Sequence, residues 1–221
     1  MHSTARPFAR SRGPALARGP GLERGFTILE LMVTVAIAAL ILGIGVPNMT
    51  EFIRNNRMTT AANDVLAALH MARTEGVKRR AWTVMCMSAA PNAATPTCDA
   101  GGTGWIVFVD DADPTMASAN DGNLVVDGGE EVLLRHDAAP AAITLTTAPN
   151  GNRGYIAFTA SGFARAVGAG TPLTNIRMCD SRGNVAVYGA ANSAARAIDI
   201  SQTGRPHVTR LVADITALGG C

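Results

Sequence analysis

Residues 26–46 read FTILELMVTVAIAALILGIGV, an apolar run interrupted only by Thr27, Glu30 and Thr34. As a helix at about 1.5 Å per residue, the run is roughly 30 Å long, the thickness of one bilayer core. A secretory signal has a shorter apolar region and a small-residue cleavage site after it. Here the polar, glycine-containing junction comes first, so cleavage at Gly25 leaves the apolar helix on the mature chain. Residues 1–25 carry Arg6, Arg10, Arg12, Arg18 and Arg24 against Glu23 alone. A basic block ahead of an apolar run stays in the cytoplasm. The expectation is a single-pass membrane anchor with the rest of the chain across the membrane from the basic block.

Glu30 lies inside the run. A carboxylate near the middle of a lipid-exposed helix costs about 2.5–3.5 kcal/mol on insertion scales, and less near an end. It therefore needs a partner. The free α-amino group that cleavage before Phe26 creates on a neighbouring subunit would be one. The alternative is an ordinary signal anchor whose Glu30 snorkels to the interface.

The stretch Arg24-Gly25-Phe26-Thr27-Ile28-Leu29-Glu30-Leu31 resembles the class III signal of type IV pilins and type II secretion pseudopilins. The resemblance implies that a prepilin peptidase cuts between Gly25 and Phe26 and N-methylates Phe26. It also implies that Glu30 pairs with a neighbour's N-terminus during assembly. Pro47 stands where such chains often carry a helix-kinking proline. The leader, residues 1–25, is long for this class, and a start downstream of Met1 stays open.

Beyond the anchor, Met49, Phe52, Ile53, Ala62, Val65, Leu66, Leu69 and Ala72 recur at three- and four-residue spacing among polar residues. The spacing predicts one helix from Thr27 to Arg80, with a kink or local unwinding near residues 43–47 where Pro47 removes a donor. Its second half, 47–80, is an amphipathic continuation that packs on a sheet. Residues 81–221 form a β-rich head. Its candidate strands are Trp82–Met87, Trp105–Val109, Glu131–Arg135, Ile143–Thr147, Tyr155–Thr159, Ile176–Cys179, Val185–Tyr188, Ala197–Ser201 and His207–Val212, separated by Gly, Pro, Asn and Asp. Short connections imply antiparallel pairing. The fold class is α+β. Apolar residues at 48% and charged residues at 16% exclude a disordered chain. The net charge of +2 is concentrated in the first 25 residues, so the remainder is slightly acidic and lacks a general field for nucleic acid.

Four cysteines in an exported chain favour two disulfides, with the connectivity open. The head resembles the GspH/FimT branch of minor pseudopilins and type IV minor pilins. The match is carried by Cys86 and Cys98 followed by Gly104-Trp105-Ile106-Val107-Phe108-Val109-Asp110, by Ile156-Ala157-Phe158 with Gly162, and by Thr203-Gly204-Arg205 before Cys221. It implies a helix packed on two antiparallel sheets and a subunit placed at a filament tip. It also implies pairing of Cys86 with Cys98 and of Cys179 with Cys221. The first closes a loop of about a dozen residues, worth on the order of 3 kcal/mol in the chain-entropy model. The implied partners are other minor and major pilins or pseudopilins, the prepilin peptidase, the inner membrane and its assembly platform.

No hydrolase, transferase or nucleotide-binding motif is present, the four histidines are scattered, and no cofactor is expected. The acidic loop from Asp110 to Glu131 lacks calcium-loop spacing and reads first as a solvated turn region, with a calcium site the open alternative. Gly204-Arg205-Pro206-His207-Val208-Thr209-Arg210 is the head's best binding candidate. Some FimT-type pilins carry a G-R-x-R motif here and bind DNA, and His207 replaces the second arginine. On an extended strand Arg205, His207 and Thr209 share one face while Arg210 points the other way unless a bulge brings it round. Arg177, Arg182 and Arg196 stand on neighbouring strands or turns. The leading expectation is a structural subunit that primes or caps a type II secretion pseudopilus or type IV pilus; the alternative is a DNA-binding minor pilin in natural transformation.

Overall fold

The computed structural model describes residues 25–110, 124–126, 130–140, 142–148, 154–166, 172–187, 189 and 191–221. The chain divides into two units, Met1–Asn48 and Met49–Cys221. Helix α1 (Ile28–Arg79) contributes to both.

In the first unit, Thr27 caps α1: its Oγ1 accepts the Glu30 amide at 3.1 Å, satisfying one of the donors a helix start leaves open. Helical structure is continuous over residues 43–47, so the local unwinding expected there is absent. Thr34 Oγ1 donates to the Leu31 carbonyl, and the Asn48 side-chain amide donates to that of Ile44.

The second unit holds the core. Met58, Ala61, Ala62, Val65, Ala68, Leu69 and Ala72 are buried at helical spacing and pack with side chains from two sheets. Met49, Phe52 and Ile53, expected on the same face, are exposed. The small alanines at 61, 62, 68 and 72 let the helix settle closely on the strands.

The first sheet runs β3 (Val132–His136), β2 (Gly104–Asp110), β1 (Trp82–Ser88), β5 (Tyr155–Phe158) and β6 (Ala164–Arg165). The second runs β4 (Thr144–Ala148), β7 (Asn175–Cys179), β8 (Asn192–Ile200) and β9 (Pro206–Leu211). Every pairing is antiparallel. Strand periodicity sorts the side chains. Met85, Met87, Trp105, Val107, Ile156 and Phe158 face the helix, whereas Val84, Cys86, Ile106, Phe108, Tyr155 and Ala157 face outward under Leu124 and Val126. The outer cover is tied down by the Cys86–Cys98 disulfide and a Thr97–Val125 bridge. Behind the second sheet, Ala195, Ala197 and Cys179 pack under Ile215 of α2 (Val212–Ala217). The Cys179–Cys221 disulfide, spanning 42 residues, holds the C-terminus there. Loops of 12 and 42 residues correspond to about 3 and 4 kcal/mol of chain entropy.

Two local departures from the sequence expectations lie around Arg196. Residues 185–187 form no strand and make only an isolated bridge from Ala186 to Ser193. β8 begins at Asn192 rather than Ala197, with an irregular register against β9. The buried Arg196 guanidinium donates to the carbonyls of Ser193, Ala194 and Ala195, supplying partners that a regular ladder would have given. Val212 ends no strand; it opens α2 instead. The two-residue strand β6 also went unread.

Candidate functional site

The N-terminal motif lies on α1. Every described side chain from Phe26 to Val46 is exposed, so the protein itself covers none of this apolar surface. Glu30 stands in the first turn of the helix, where the axial dipole favours a carboxylate. Thr27 and Glu30 hold the Ncap and N3 positions, the T-x-x-E arrangement of a capping box.

At the other candidate region, Gly204 sits in the β8–β9 turn with φ +73° and is buried. A Cβ there would lie 2.9 Å from both the Gly162 carbonyl oxygen and Phe158 Cε1, so glycine lets this turn press on the β5–β6 turn of the other sheet. The Ser201 hydroxyl accepts the Arg205 amide at 3.1 Å, fixing the turn. Arg205 is exposed next to it, and His207 is exposed opposite Asp199. Thr209 is buried and donates to Asp214 at 2.6 Å. Arg210 is exposed, but five residues along a strand put it about 17 Å from Arg205. The structure therefore brings Arg205 and His207 together and leaves Arg210 at the far end of β9.

The neighbouring arginines are occupied. Arg177 is buried and donates to the Gly220 carbonyl at 2.9 Å. Arg196 holds the bulge, and burial, followed by the charges of Arg210 and Arg182, pushes its pKa down. Arg182 donates to Asp180 at 2.6 Å, to Glu51 at 2.7 Å and to Asn55 at 3.0 Å. Burial would raise the Asp180 pKa, but the Arg182 hydrogen bonds outweigh it and hold the carboxyl below its usual range. The stabilising contribution of that pair is present above the ordinary carboxylate pKa and is lost as pH falls through the lowered value. Arg73 was missed from the sequence: a Cβ on Gly162 would lie 3.2 Å from its Nε, which places it beside the Gly162–Gly204 contact. Arg165 stands exposed on β6, beyond that turn.

Among the described residues no group of three His, Cys, Asp or Glu side chains could hold a metal. The acidic loop lies outside them over 111–123 and 127–129; at its described end, Glu131 pairs with Arg79. A groove of about 290 Å³ between α1 and the first sheet is lined by Ile53, Ala61, Trp105 and Pro140. Its nearest approach to a catalytic pair, His136 Nε2 at 3.7 Å from Asp64, is joined by no serine, cysteine or lysine in the lining.

Residues 61–204 match the model of the type II transport protein GspH family, well over half of the chain. The chain belongs to this family. Residues 22–46 match the prokaryotic N-terminal methylation motif. This GspH-family chain is thus a minor pilin or pseudopilin, a membrane-anchored structural subunit rather than an enzyme, and its long helix followed by antiparallel sheets is a pilin fold. Among solved structures it is similar to the type IV minor pilin FimU of Pseudomonas aeruginosa in two crystal forms. In one the identity is 21% and the TM-score 0.43, covering 72% of this chain and 92% of that one. In the other they are 20% and 0.41, covering 68% and 91%. No curated protein matches significantly.

Proposed function

We propose that this GspH-family chain primes or caps a type II secretion pseudopilus or a type IV pilus. In this reading residues 1–25 are a leader removed between Gly25 and Phe26, 26–46 span the inner membrane, 47–80 continue the helix, and 81–221 form the periplasmic head. The observation that carries it is the uncovered apolar face from Phe26 to Val46, which lies wholly within the residues matched by the methylation motif and holds a single carboxylate. Lipid covers such a face before assembly, and neighbouring helices cover it afterwards. The partners are other pilins or pseudopilins, the prepilin peptidase and the assembly platform. Intact-mass spectrometry of chain made in cells with the peptidase should find Phe26 at the N-terminus carrying one methyl group. A retained leader, or a terminus elsewhere, would remove the basis of this reading. Co-purification with secretion or pilus platform components then decides the machine.

A second reading, DNA binding, is supported by the exposure of Arg205 and His207 at the start of β9, with Arg73 beside the Gly162–Gly204 contact. Here Arg205→Ala should weaken DNA binding across all sequences and lower the salt slope by about one unit, while Arg210→Ala has the smaller effect. A titration of the detergent-solubilised chain at two salt concentrations tests this. No binding at low salt ends the DNA reading.

A further inference from the structure

Arg182, Arg196, Arg210 and Arg54 form a basic corner at one edge of the second unit. Arg182 is the hub, hydrogen-bonded to Asp180, Glu51 and Asn55 and therefore fixed to α1 at residues 51–55. Arg54 lies 3.7 Å from Glu51 with half its side chain exposed. Arg196 sits across from Met178 in the β7–β8 ladder, two residues from Asp180. Arg210, near the end of β9, is close enough to Arg196 for its charge to be felt there. The corner thus holds four guanidinium groups against two carboxylates, Glu51 and Asp180. Arg196 spends its donors on backbone carbonyls, which carry no charge. Arg210 makes no side-chain hydrogen bond or ion pair among the described residues. Positive charge is left over, and the exposed guanidinium groups of Arg210 and of Arg54, which Glu51 engages at only one nitrogen, can present planar forks to an outside anion.

The position of the corner selects the anion. Glu51 lies five residues beyond Val46, the last residue of the apolar run. Even fully extended, five residues reach about 18 Å, whatever the angle between the units. The polar headgroup layer itself occupies roughly 5–8 Å outside the hydrocarbon core. Glu51 therefore lies inside the headgroup layer or at most about 13 Å beyond it, and the groups tied to it stay near the membrane surface. Arg205 and His207, at the opposite end of β9, are not tied in this way.

We propose that the Arg54–Arg182–Arg196–Arg210 corner is a docking surface for the phosphate headgroups of anionic lipid, holding the unassembled subunit against the membrane surface. The inference rests on the membrane reading of residues 26–46. Each exposed arginine at such a surface contributes about 1 kcal/mol, a factor of roughly five.

The test titrates the full chain, purified in neutral detergent, with phosphatidylglycerol or phosphatidylcholine and counts bound lipid by native mass spectrometry. Phosphatidylglycerol should bind at least about 25-fold more tightly, a factor of roughly five for each of Arg54 and Arg210. Arg54→Gln with Arg210→Gln should weaken it by about 25-fold, on the same factor of five per arginine, and leave phosphatidylcholine unchanged. Arg54→Lys with Arg210→Lys should keep most of the preference, which separates lost charge from lost folding. Arg205→Gln should change little. Equal binding of the two lipids, or a preference that survives the double glutamine change, overturns the proposal. So does displacement by equimolar inorganic phosphate, which would mark a free-anion site, or by a short oligonucleotide, which would mark a nucleic-acid surface. If carbonate washing releases the chain from membranes, the anchor reading fails together with this one; if the chain stays anchored and shows no lipid preference, only this one fails.

Discussion

Glu30→Ala should remain in the membrane and disappear from filaments. Its insertion should equal or exceed that of the parent chain, because a charge leaves an apolar run. The helix start should survive, because Thr27 accepts the backbone amide of residue 30 and not its side chain. What is lost is the carboxylate available to a neighbour's new α-amino group. A charge-assisted hydrogen bond contributes about 1.5–3 kcal/mol, so incorporation should fall at least about tenfold. Glu30→Gln sharpens the test: it keeps the shape and one acceptor oxygen of the side chain but removes the charge, and it should fail as well. Quantifying the subunit in sheared filaments against total membrane protein measures both. Normal incorporation of the glutamine variant would show that charge pairing is unnecessary.

The second large effect concerns the core. Trp105 is fully buried, packs in the cluster that includes Met58, Val65 and Leu69, and stacks on His136 with ring centroids 3.8 Å apart. Trp105→Ala should cost about 3–5 kcal/mol, from lost transfer energy and an incompletely filled cavity. For a unit of this size that lowers Tm by roughly 6–20 °C. Trp105→Phe should cost much less, because the indole N–H makes no hydrogen bond among the described residues and its removal strands no acceptor. Thermal unfolding with both disulfides intact checks the pair. A loss under 1 kcal/mol for the alanine variant would mean that the site collapses around the gap and that Trp105 does not anchor the helix to the sheet.

Legibility followed the range of the interactions. β1, β2, β5 and β7 were readable because their apolar runs are bounded by turn formers and both faces are covered. The apolar run from Phe26 to Val46 was readable because its length and composition alone satisfy a bilayer. The start of β8 was not, since Asn-Ser-Ala-Ala-Arg has weak strand propensity and is held by a side chain that returns to its own backbone. α2 was hidden because Val212 continues the alternation of β9, and Leu211 supplies no side-chain cap. At the candidate sites, period-two alternation separated Arg205 from Arg210 in direction. The engagement of Arg182 with Glu51, 131 residues earlier, depends on packing that no local pattern encodes. The same holds for Arg73, which reaches the β8–β9 turn only through Gly162.

A pull along α1 meets the second unit first at the start of its share of the helix, around residues 51–55. Arg182 bridges this place, joining Asp180 of the β7–β8 turn to Glu51 and Asn55 of the helix. A helix drawn out by a single residue moves about 1.5 Å, enough to carry hydrogen bonds of 2.7 and 3.0 Å past their useful range. Above it, Met58 to Ala72 would have to slide through a close-packed interior, which yields in steps rather than continuously. The joint therefore behaves as a stiff latch with a short travel: it transmits force without stretching until it releases. Acid that protonates Asp180 would lower the force at which it lets go.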